Sequence, residues 1–215
     1  LQEMKDRLAK LEKILFENSD KLSRIRREYS SQLEQKVIQG LKDLNFLDVN
    51  FAIDFQRKKS YTDNGFDDIG YLISTNPGEP LKPLGKVASG GELSRIMLAI
   101  KTVLADAEDT PTLIFDEIDA GISGVTAAKV GEKLKLIGKS RQVICITHLS
   151  QIAAVADSHF LIEKSAENES VKTRIRLLNE EDSVKELARI LGGDKITSSI
   201  MESAREMKEM AKSEI

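Results

Sequence analysis

Two adjacent acids follow a short apolar run near the middle of the chain. Leu113, Ile114 and Phe115 lead directly into Asp116 and Glu117. Such a run is typical of a strand buried on both faces of a parallel sheet, and open α/β sheets bind ligands at the carboxyl ends of these strands. An acid placed there needs water or a cation, because an unpaired buried charge is costly. Asp116 can therefore hold Mg²⁺ and Glu117 can orient and deprotonate a water molecule, although a strand that runs into a polar loop is an equally good interpretation of this run alone.

A glycine pair upstream of these acids has the properties of an anion site. Ser89, Gly90 and Gly91 precede a segment with helical apolar spacing from Leu93 to about Ala107. The glycines leave backbone N–H groups bare at the positive end of this helix, while Ser89 either caps the helix or reaches a ligand. A capped helix after a flexible turn would be the favoured interpretation if this motif stood alone. Its combination with the two acids favours a phosphate site.

A histidine is predicted to share the edge of the sheet that carries the acids. His148 closes a second apolar strand, Gln142–Thr147, and a helix lies between the two strands. Sequential strands joined by a helix run parallel, so their carboxyl ends meet at one edge. Most histidines at strand ends only make a loop hydrogen bond, but this neighbourhood favours a phosphate sensor. We interpret His159, in the strand that follows, as structural.

The remaining elements are predicted from turn and periodicity signals. Ser123 is expected to cap the helix after the acids, and Asp182 or Ser183 the helix that ends at Leu191 before Gly192 and Gly193. Antiparallel strands are expected at Val49–Arg57 with Tyr71–Thr75, around a turn-rich Tyr61–Gly70, and at Ser158–Lys164 with Val171–Leu178, around Glu167–Glu169. Three cations on the last strand, Lys172, Arg174 and Arg176, are more typical of a solvated sheet edge than of a nucleic-acid contact.

The amino-terminal region has the heptad spacing of a coiled coil. Apolar residues recur at steps of three and four, with Asn18 filling one gap: Leu1, Met4, Leu8, Leu11, Leu15, Leu22, Ile25 and Tyr29. No Pro or Gly occurs before Gly40, so one helix of about 35–40 residues and roughly 55 Å is possible. We expect residues 1–42 to form an arm whose partner helix is another molecule or a missing segment. An ordinary amphipathic helix on a globular core is the less favoured alternative.

Composition excludes several classes of protein. The 215 residues carry 32 basic and 35 acidic side chains, for a net charge of −3, which argues against a globally basic nucleic-acid surface. A single cysteine, Cys145, cannot form an internal disulfide. No apolar stretch reaches bilayer length. The chain begins at Leu1, already in a helical pattern, so we expect a cytosolic protein or a fragment of one.

Four motifs together resemble the carboxyl-terminal half of an ABC-type ATPase head of the SMC class. In order they are ASGGELSR (Ala88–Arg95), TLIFDEID (Thr112–Asp119), DAGISG (Asp119–Gly124) and ITH (Ile146–His148). Ser74–Lys101 and Glu186–Gly193 are similar to a bacterial DNA-repair member of this class, and the likeness begins at about Asp43. The resemblance implies an α/β half-domain, 43–215, with a mainly parallel sheet flanked by helices and a small antiparallel sheet. The leading helix would be the returning arm of an antiparallel coiled coil.

The resemblance also implies roles for the motif residues, with ATP and Mg²⁺ as cofactors. Ser89, Gly90 and Gly91, flanked by Glu92 and Arg95, would bind the γ-phosphate of ATP held by a second head. Asp116 would support Mg²⁺, Glu117 would position the attacking water, and His148 would be the switch histidine. The segment from Asp119 to Ser123 would cross the interface between two heads.

One motif of the family is missing. The sequence contains no G-x-x-x-x-G-K-[ST], the phosphate-binding loop that the family carries in its amino-terminal half. We therefore expect this chain by itself to bind ATP poorly and hydrolyse little, and to need that half for turnover. The expected partners are that half, a second head and, through the full-length protein, DNA. The implied function is ATP-driven head dimerisation in double-strand-break repair and recombination. The alternatives are half of another SMC-type or transporter-associated ATPase, and a non-catalytic coiled-coil scaffold.

Overall fold

The computed structural model describes residues 1–87, 89–105, 107–167, 170–193 and 195–213. Its helices are α1 (Gln2–Asp43), α2 (Gly90–Val103), α3 (Gly124–Gly138), α4 (Ser150–Ala154), α5 (Glu180–Gly192) and α6 (Ser198–Ser213). Its strands are β1 (Asn50–Thr62), β2 (Gly65–Ser74), β3 (Lys82–Pro83), β4 (Thr112–Phe115), β5 (Gln142–Cys145), β6 (Phe160–Glu167) and β7 (Ser170–Leu177). The chain forms two compact units, Leu1–Ser89 with Ala99–Val103, and Gly90–Leu98 with Leu104–Ile215.

The long helix α1 presents two different stripes. The predicted heptad residues remain exposed along it, including Met4, Leu8 and Tyr29, except for the half-buried Leu22. A neighbouring stripe in its carboxyl-terminal half is buried against β1 and β2, with Ser23 Oγ donating to Asp67 Oδ1 at 2.8 Å. The less favoured alternative, a helix lying on its own globular unit, therefore holds for this half of α1. The heptad stripe is left uncovered by the described residues.

The β1–β2 hairpin is longer than the sequence indicated. Its register runs from Asn50↔Ser74 to Thr62↔Gly65, so the prediction of a turn-rich Tyr61–Gly70 is wrong. Only two residues, Asp63 and Asn64, lie between the strands. Gly65 adopts a φ of 83°, and Thr62 Oγ1 donates to its carbonyl oxygen at 2.9 Å. Asp-Asn-Gly is a strong signal for such a tight turn. The acidic residues around it made the whole segment look turn-rich, so the short turn was not recognised.

The second unit contains the parallel pair that the sequence predicted. β4 and β5 pair from Thr112↔Gln142 to Phe115↔Cys145, and α3 connects them. One face of β4 is buried, but Ile114 on the other face is 68% exposed and Ile144 and Ile146 are exposed beside it. The prediction of strands buried on both faces is therefore wrong for this chain, because only one face is covered by the residues that the structure describes.

The carboxyl-terminal helices pack around a small apolar core. Its buried members come from α4, α5 and α6: Ala153, Ala154, Val184, Leu187, Ala188 and Ala204. Helix α5 is capped by Asn179, whose side chain accepts from Asp182 N at 2.8 Å, so the predicted caps Asp182 and Ser183 are wrong. Gly193 ends this helix with a φ of 61°, as the glycine pair predicted.

The second antiparallel hairpin consists of β6 and β7. Its register begins at Phe160↔Leu177, and the predicted turn residues Asn168 and Glu169 lie outside the described residues. Arg174 and Arg176 are exposed, and Arg176 pairs with Asp182 at 3.2 Å. This arrangement fits the solvated sheet edge that we favoured.

None of the helices described here is both long and apolar enough to cross a membrane.

Candidate functional site

The loop after β4 begins with two exposed acids and continues with two buried residues. Asp116 and Glu117 are exposed, whereas Ile118 and Asp119 are buried. Ile118 has no exposed surface and fixes the loop to the core of its unit. The two acids are thus held at the carboxyl end of β4 without being removed from water, as a site for a charged ligand requires.

Glu117 has an uncommon backbone conformation. Its φ of 56° lies in the left-handed region, which few residues other than glycine adopt. Its N–H donates to Asp116 Oδ1 at 2.9 Å, and its carbonyl oxygen accepts from Ala120 N at 3.1 Å. Such strain costs about 1–3 kcal/mol and concentrates at functional sites. This backbone conformation therefore supports a functional role for Glu117. No feature of the sequence predicted the conformation.

Asp116 fits a magnesium ligand of the kind that shares its ion with a nucleotide. Its carboxylate is exposed, and Glu117 N is its one hydrogen-bond partner among the described contacts. No cluster of three or more His, Cys, Asp or Glu residues suited to a metal occurs in the described part of the chain. Mg²⁺ commonly uses one or two carboxylates together with phosphate oxygens and water. The donor set fits such a shared site rather than a complete protein cage.

The glycine turn at the start of α2 packs closely on this loop. A Cβ on Gly90 would lie 2.7 Å from Glu117 Oε2, and a Cβ on Gly91 would lie 2.7 Å from Ala120 Cβ. Gly91 therefore requires glycine, because backbone atoms of Glu117 and Ala120 also lie close to it, whereas at Gly90 the exposed Glu117 side chain can shift to make room. Gly90 is exposed, but Gly91 is buried. The expectation of two bare N–H-bearing glycines is wrong for Gly91, because the loop after Glu117 covers it.

Two polar side chains in the first turns of α2 tie that helix to the acid loop. Ser94 Oγ donates to the Asp116 carbonyl oxygen at 2.9 Å, and Arg95 Nη1 donates to the Ala120 carbonyl oxygen at 2.9 Å. Burial lowers the pKa of Arg95, and the charge of Glu92 opposes that shift. From the sequence, Arg95 was expected only to flank the site, and no role was predicted for Ser94. Helical spacing from the glycine pair, which turns residues four apart to one side, was the available signal.

Helix α2 begins and ends earlier than its apolar spacing predicted. It starts at Gly90 instead of Leu93 and ends at Val103 instead of Ala107. Ser89 is exposed immediately before it, while Ala88, the first residue of the motif, lies outside the described residues. Ser123 occupies the N-cap position of α3 and is exposed, but its side chain makes no capping hydrogen bond. That predicted bond is therefore wrong, although the position is right.

His148 is joined to the acid loop through Asp119. Asp119 Oδ2 accepts from Thr147 Oγ1 at 2.5 Å and from His148 N at 2.7 Å, and it lies 3.0 Å from His148 Nδ1. The parallel strands thus bring the two loops together, as their topology predicted. Among the contacts described, His148 meets Asp119 rather than Asp116 or Glu117.

Cys145 lies on β5 close to this junction and is chemically quiet. Burial, followed by the negative charges of Asp119 and Asp116, raises the pKa of its thiol to about 12. The thiol stays protonated near neutral pH, so it is neither a nucleophile nor a soft metal ligand under those conditions.

His159 makes a structural contact away from the acid loop. Its Nδ1 lies 2.9 Å from Ser183 Oγ. Burial and the charge of Lys208 lower the pKa of His159 below 6.5, against the opposing charge of Glu186. The unfolded chain therefore binds more protons than the folded chain between the folded pKa and 6.5.

This difference predicts a pH dependence of stability. Free energy of unfolding should rise as pH increases through the window that ends near 6.5, and the contribution should be constant above it. Replacing His159 by Gln should flatten this part of the profile. Urea unfolding at a series of pH values measures the slope, and equal slopes in the parent chain and the variant would contradict the assignment.

Sequence comparison finds clear relatives. The chain is 43% identical over 190 residues to the DNA repair protein RecN of Vibrio cholerae, covering 88% of this chain and 34% of that protein. It is 41% identical over 196 residues to RecN of Halalkalibacterium halodurans, covering 89% of this chain and 35% of that protein. The chain thus spans about a third of the length of these relatives. No protein-family model matches it.

Solved structures show the same fold at low sequence identity. The Smc head domain of Pyrococcus yayanosii, with a coiled coil and joint, has a TM-score of 0.60 at 18% identity, covering 86% of this chain and 34% of that one. The Smc head domain of Pyrococcus furiosus, with an extended coiled coil and bound to the C-terminal domain of ScpA, has a TM-score of 0.53 at 20% identity, covering 87% of this chain and 44% of that one. The predicted fold class is confirmed.

Proposed function

Because this chain is RecN-like over most of its length and has the fold of an SMC-type ATPase head, we propose that it is the carboxyl-terminal half of such a head. Its role is to contribute the signature turn, the magnesium-binding acid and the switch histidine to ATP-driven head dimerisation in DNA double-strand-break repair and recombination. One observation carries this proposal. On one side of the loop that contains Asp116 and Glu117, Ser94 of α2 donates to it and the glycine turn packs against it. On the other side, Asp119 of the same loop accepts a hydrogen bond from His148 N.

The chemistry that this arrangement supports is phosphoryl transfer to water. In-line transfer depends mainly on positioning and on charge stabilisation, and the protein forms no covalent bond to the substrate. Glu117 would accept the proton of the attacking water. Asp116 would hold Mg²⁺ through a carboxylate oxygen, and the ion would neutralise phosphate charge. The exposed carboxylates and the fixed loop suit those two tasks.

The other half of the nucleotide site lies in the amino-terminal part of the full-length protein. This sequence has no phosphate-binding G-x-x-x-x-G-K-[ST] loop, and the relatives are about three times as long as the matched segment. The uncovered face of β4 and β5 supports this assignment, since Ile114, Ile144 and Ile146 form an apolar surface there. In our proposal the amino-terminal half covers that surface.

A second head and DNA complete the assembly. Ser89 and the exposed Gly90 would meet the γ-phosphate of ATP held by the other head, with Ser123 on the neighbouring loop at that interface. The exposed heptad stripe of α1 would pair with another helix of the same full-length protein. DNA would be engaged by the full-length protein.

A non-catalytic scaffold is the second candidate function, and one observation is compatible with it. The exposed apolar stripe of α1 would serve such a protein equally well. A scaffold, however, gives no reason for the left-handed backbone of Glu117 or for the close packing of Gly90 against its carboxylate. Titrating ATP into the chain with and without the amino-terminal half separates the two functions, because a scaffold gains no binding from the addition.

A further inference from the structure

Asp119 is the most deeply buried acid of the candidate site. It is 3% exposed, yet three polar atoms converge on its single oxygen Oδ2: Thr147 Oγ1, His148 N and His148 Nδ1. The two hydrogen bonds and the ring contact compensate the desolvated carboxylate, which would otherwise be costly to bury. The side chain thus faces the loop after β5 and not the solvent, where a nucleotide would lie.

The contact with the ring distinguishes the two nitrogens of His148. A carboxylate oxygen only accepts hydrogen bonds, so the 3.0 Å approach of Nδ1 is favourable when Nδ1 carries a hydrogen. The His148 side chain is 74% exposed, so the rest of the ring, including Nε2, is accessible. In the doubly protonated ring, Nε2–H can donate to a phosphate oxygen while Asp119 holds Nδ1–H. An acid behind a histidine commonly sets its tautomer and orientation in this way.

We propose that Asp119 is a positioning residue, and that it fixes the turn at Thr147 and His148 and directs Nε2 of His148 toward the phosphate of the bound nucleotide. This inference rests on the proposed function, in which His148 contacts that phosphate. It replaces direct nucleotide contact by Asp119 with an action through His148. Since Asp119 and Glu117 share one loop, a movement of that loop would move the water-activating acid and the phosphate sensor together.

The test is Asp119→Asn in the full-length protein that contains this segment. The substitution keeps the size of the side chain but replaces one acceptor oxygen by an NH₂ donor and removes the charge. We expect kcat for ATP hydrolysis to fall about 10–100-fold, the range for groups that orient a functional histidine. KM for ATP should change less than about threefold, since Asp119 does not touch the nucleotide. In ¹⁵N spectra of the unmodified protein, Nδ1 of His148 should carry a hydrogen. In the Asp119→Asn variant this preference for Nδ1 should be lost.

A matched control separates positioning from stability. Asp67 is also a buried carboxylate, and it accepts hydrogen bonds from Ser23 and Arg26 in the other compact unit. Asp67→Asn should lower stability without changing kcat or the His148 nitrogen signals. The inference is overturned if Asp119→Asn behaves in the same way as Asp67→Asn.

Two further results keep this inference apart from the proposed function. If Glu117→Gln abolishes hydrolysis while Asp119→Asn leaves kcat unchanged, only the positioning role fails. If neither variant affects hydrolysis, the proposed function fails. Should Asp119→Asn not fold, the nitrogen spectrum of the unmodified protein decides. A hydrogen on Nδ1 of His148, in the neutral or the doubly protonated ring, supports the role of Asp119, and a neutral ring whose one hydrogen is on Nε2 overturns it.

Discussion

Replacing Glu117 by Gln in the full-length protein is expected to lower kcat for ATP hydrolysis by about 10²–10⁴-fold, the usual contribution of a general base. The amide keeps the shape of the side chain, so the backbone at φ 56° and the packing against Gly90 should persist. ATP binding should therefore survive while turnover is lost. Heads should then remain together as ATP-bound dimers, which size-exclusion chromatography with light scattering measures.

The matched control for this experiment is Glu132→Gln. Glu132 is an exposed acid on α3 that pairs with Lys129 at 2.8 Å. Its substitution should leave kcat within about twofold, since exposed ion pairs contribute little. If Glu117→Gln hydrolyses ATP at the rate of the control and traps no dimers, the scaffold alternative is favoured.

Replacing Ile114 by Lys should prevent the two halves of the head from associating. Ile114 is 68% exposed in this chain, so the substitution should change the stability of the segment by no more than about 0.5 kcal/mol. If the amino-terminal half covers this face, the lysine charge becomes buried without a partner. A penalty of about 3 kcal/mol, roughly 100-fold in association, is expected. Calorimetry with the two purified halves measures it, and ATP hydrolysis should fall in parallel.

Leu136→Lys is the control for surface charge itself. Leu136 is also an exposed apolar residue, but it lies on α3 rather than on the uncovered face of β4 and β5. Its substitution should leave association intact. Equal affinities for the Ile114 and Leu136 variants would show that the amino-terminal half does not cover the face of β4.

Local signals in the sequence were sufficient to predict the framework of the site. The apolar run before Asp116 and the second run before His148 each fix a strand, and the helix between them leaves a parallel pairing as the favoured topology. The structure has this parallel pairing, with Thr112 opposite Gln142. The glycine pair in the first turn of α2 could also be recognised from the sequence, because helix starts and anion sites share the same residue types.

Tertiary packing determined the features that the sequence analysis missed. Gly91 is buried because Ala120 lies against it, and Asp119 is buried because Thr147 and His148 satisfy it. Neither fact follows from spacing along the chain. The exposed face at Ile114 was missed for a different reason. A strand that is covered on both faces has the same apolar sequence whether the covering layer belongs to this chain or to another segment. The assignments of individual site residues remain predictions.

The most direct test of the half-site is an ATP titration by calorimetry, with Mg²⁺ present, into this chain, into the amino-terminal half and into their equimolar mixture. A nucleotide site shared by the two halves predicts that this chain alone gives no saturable binding and that the mixture binds ATP at least about tenfold more tightly than the amino-terminal half alone, a difference of about 1.4 kcal/mol. Equal affinity of the mixture and the amino-terminal half would contradict it, because this chain would then contribute nothing to nucleotide binding.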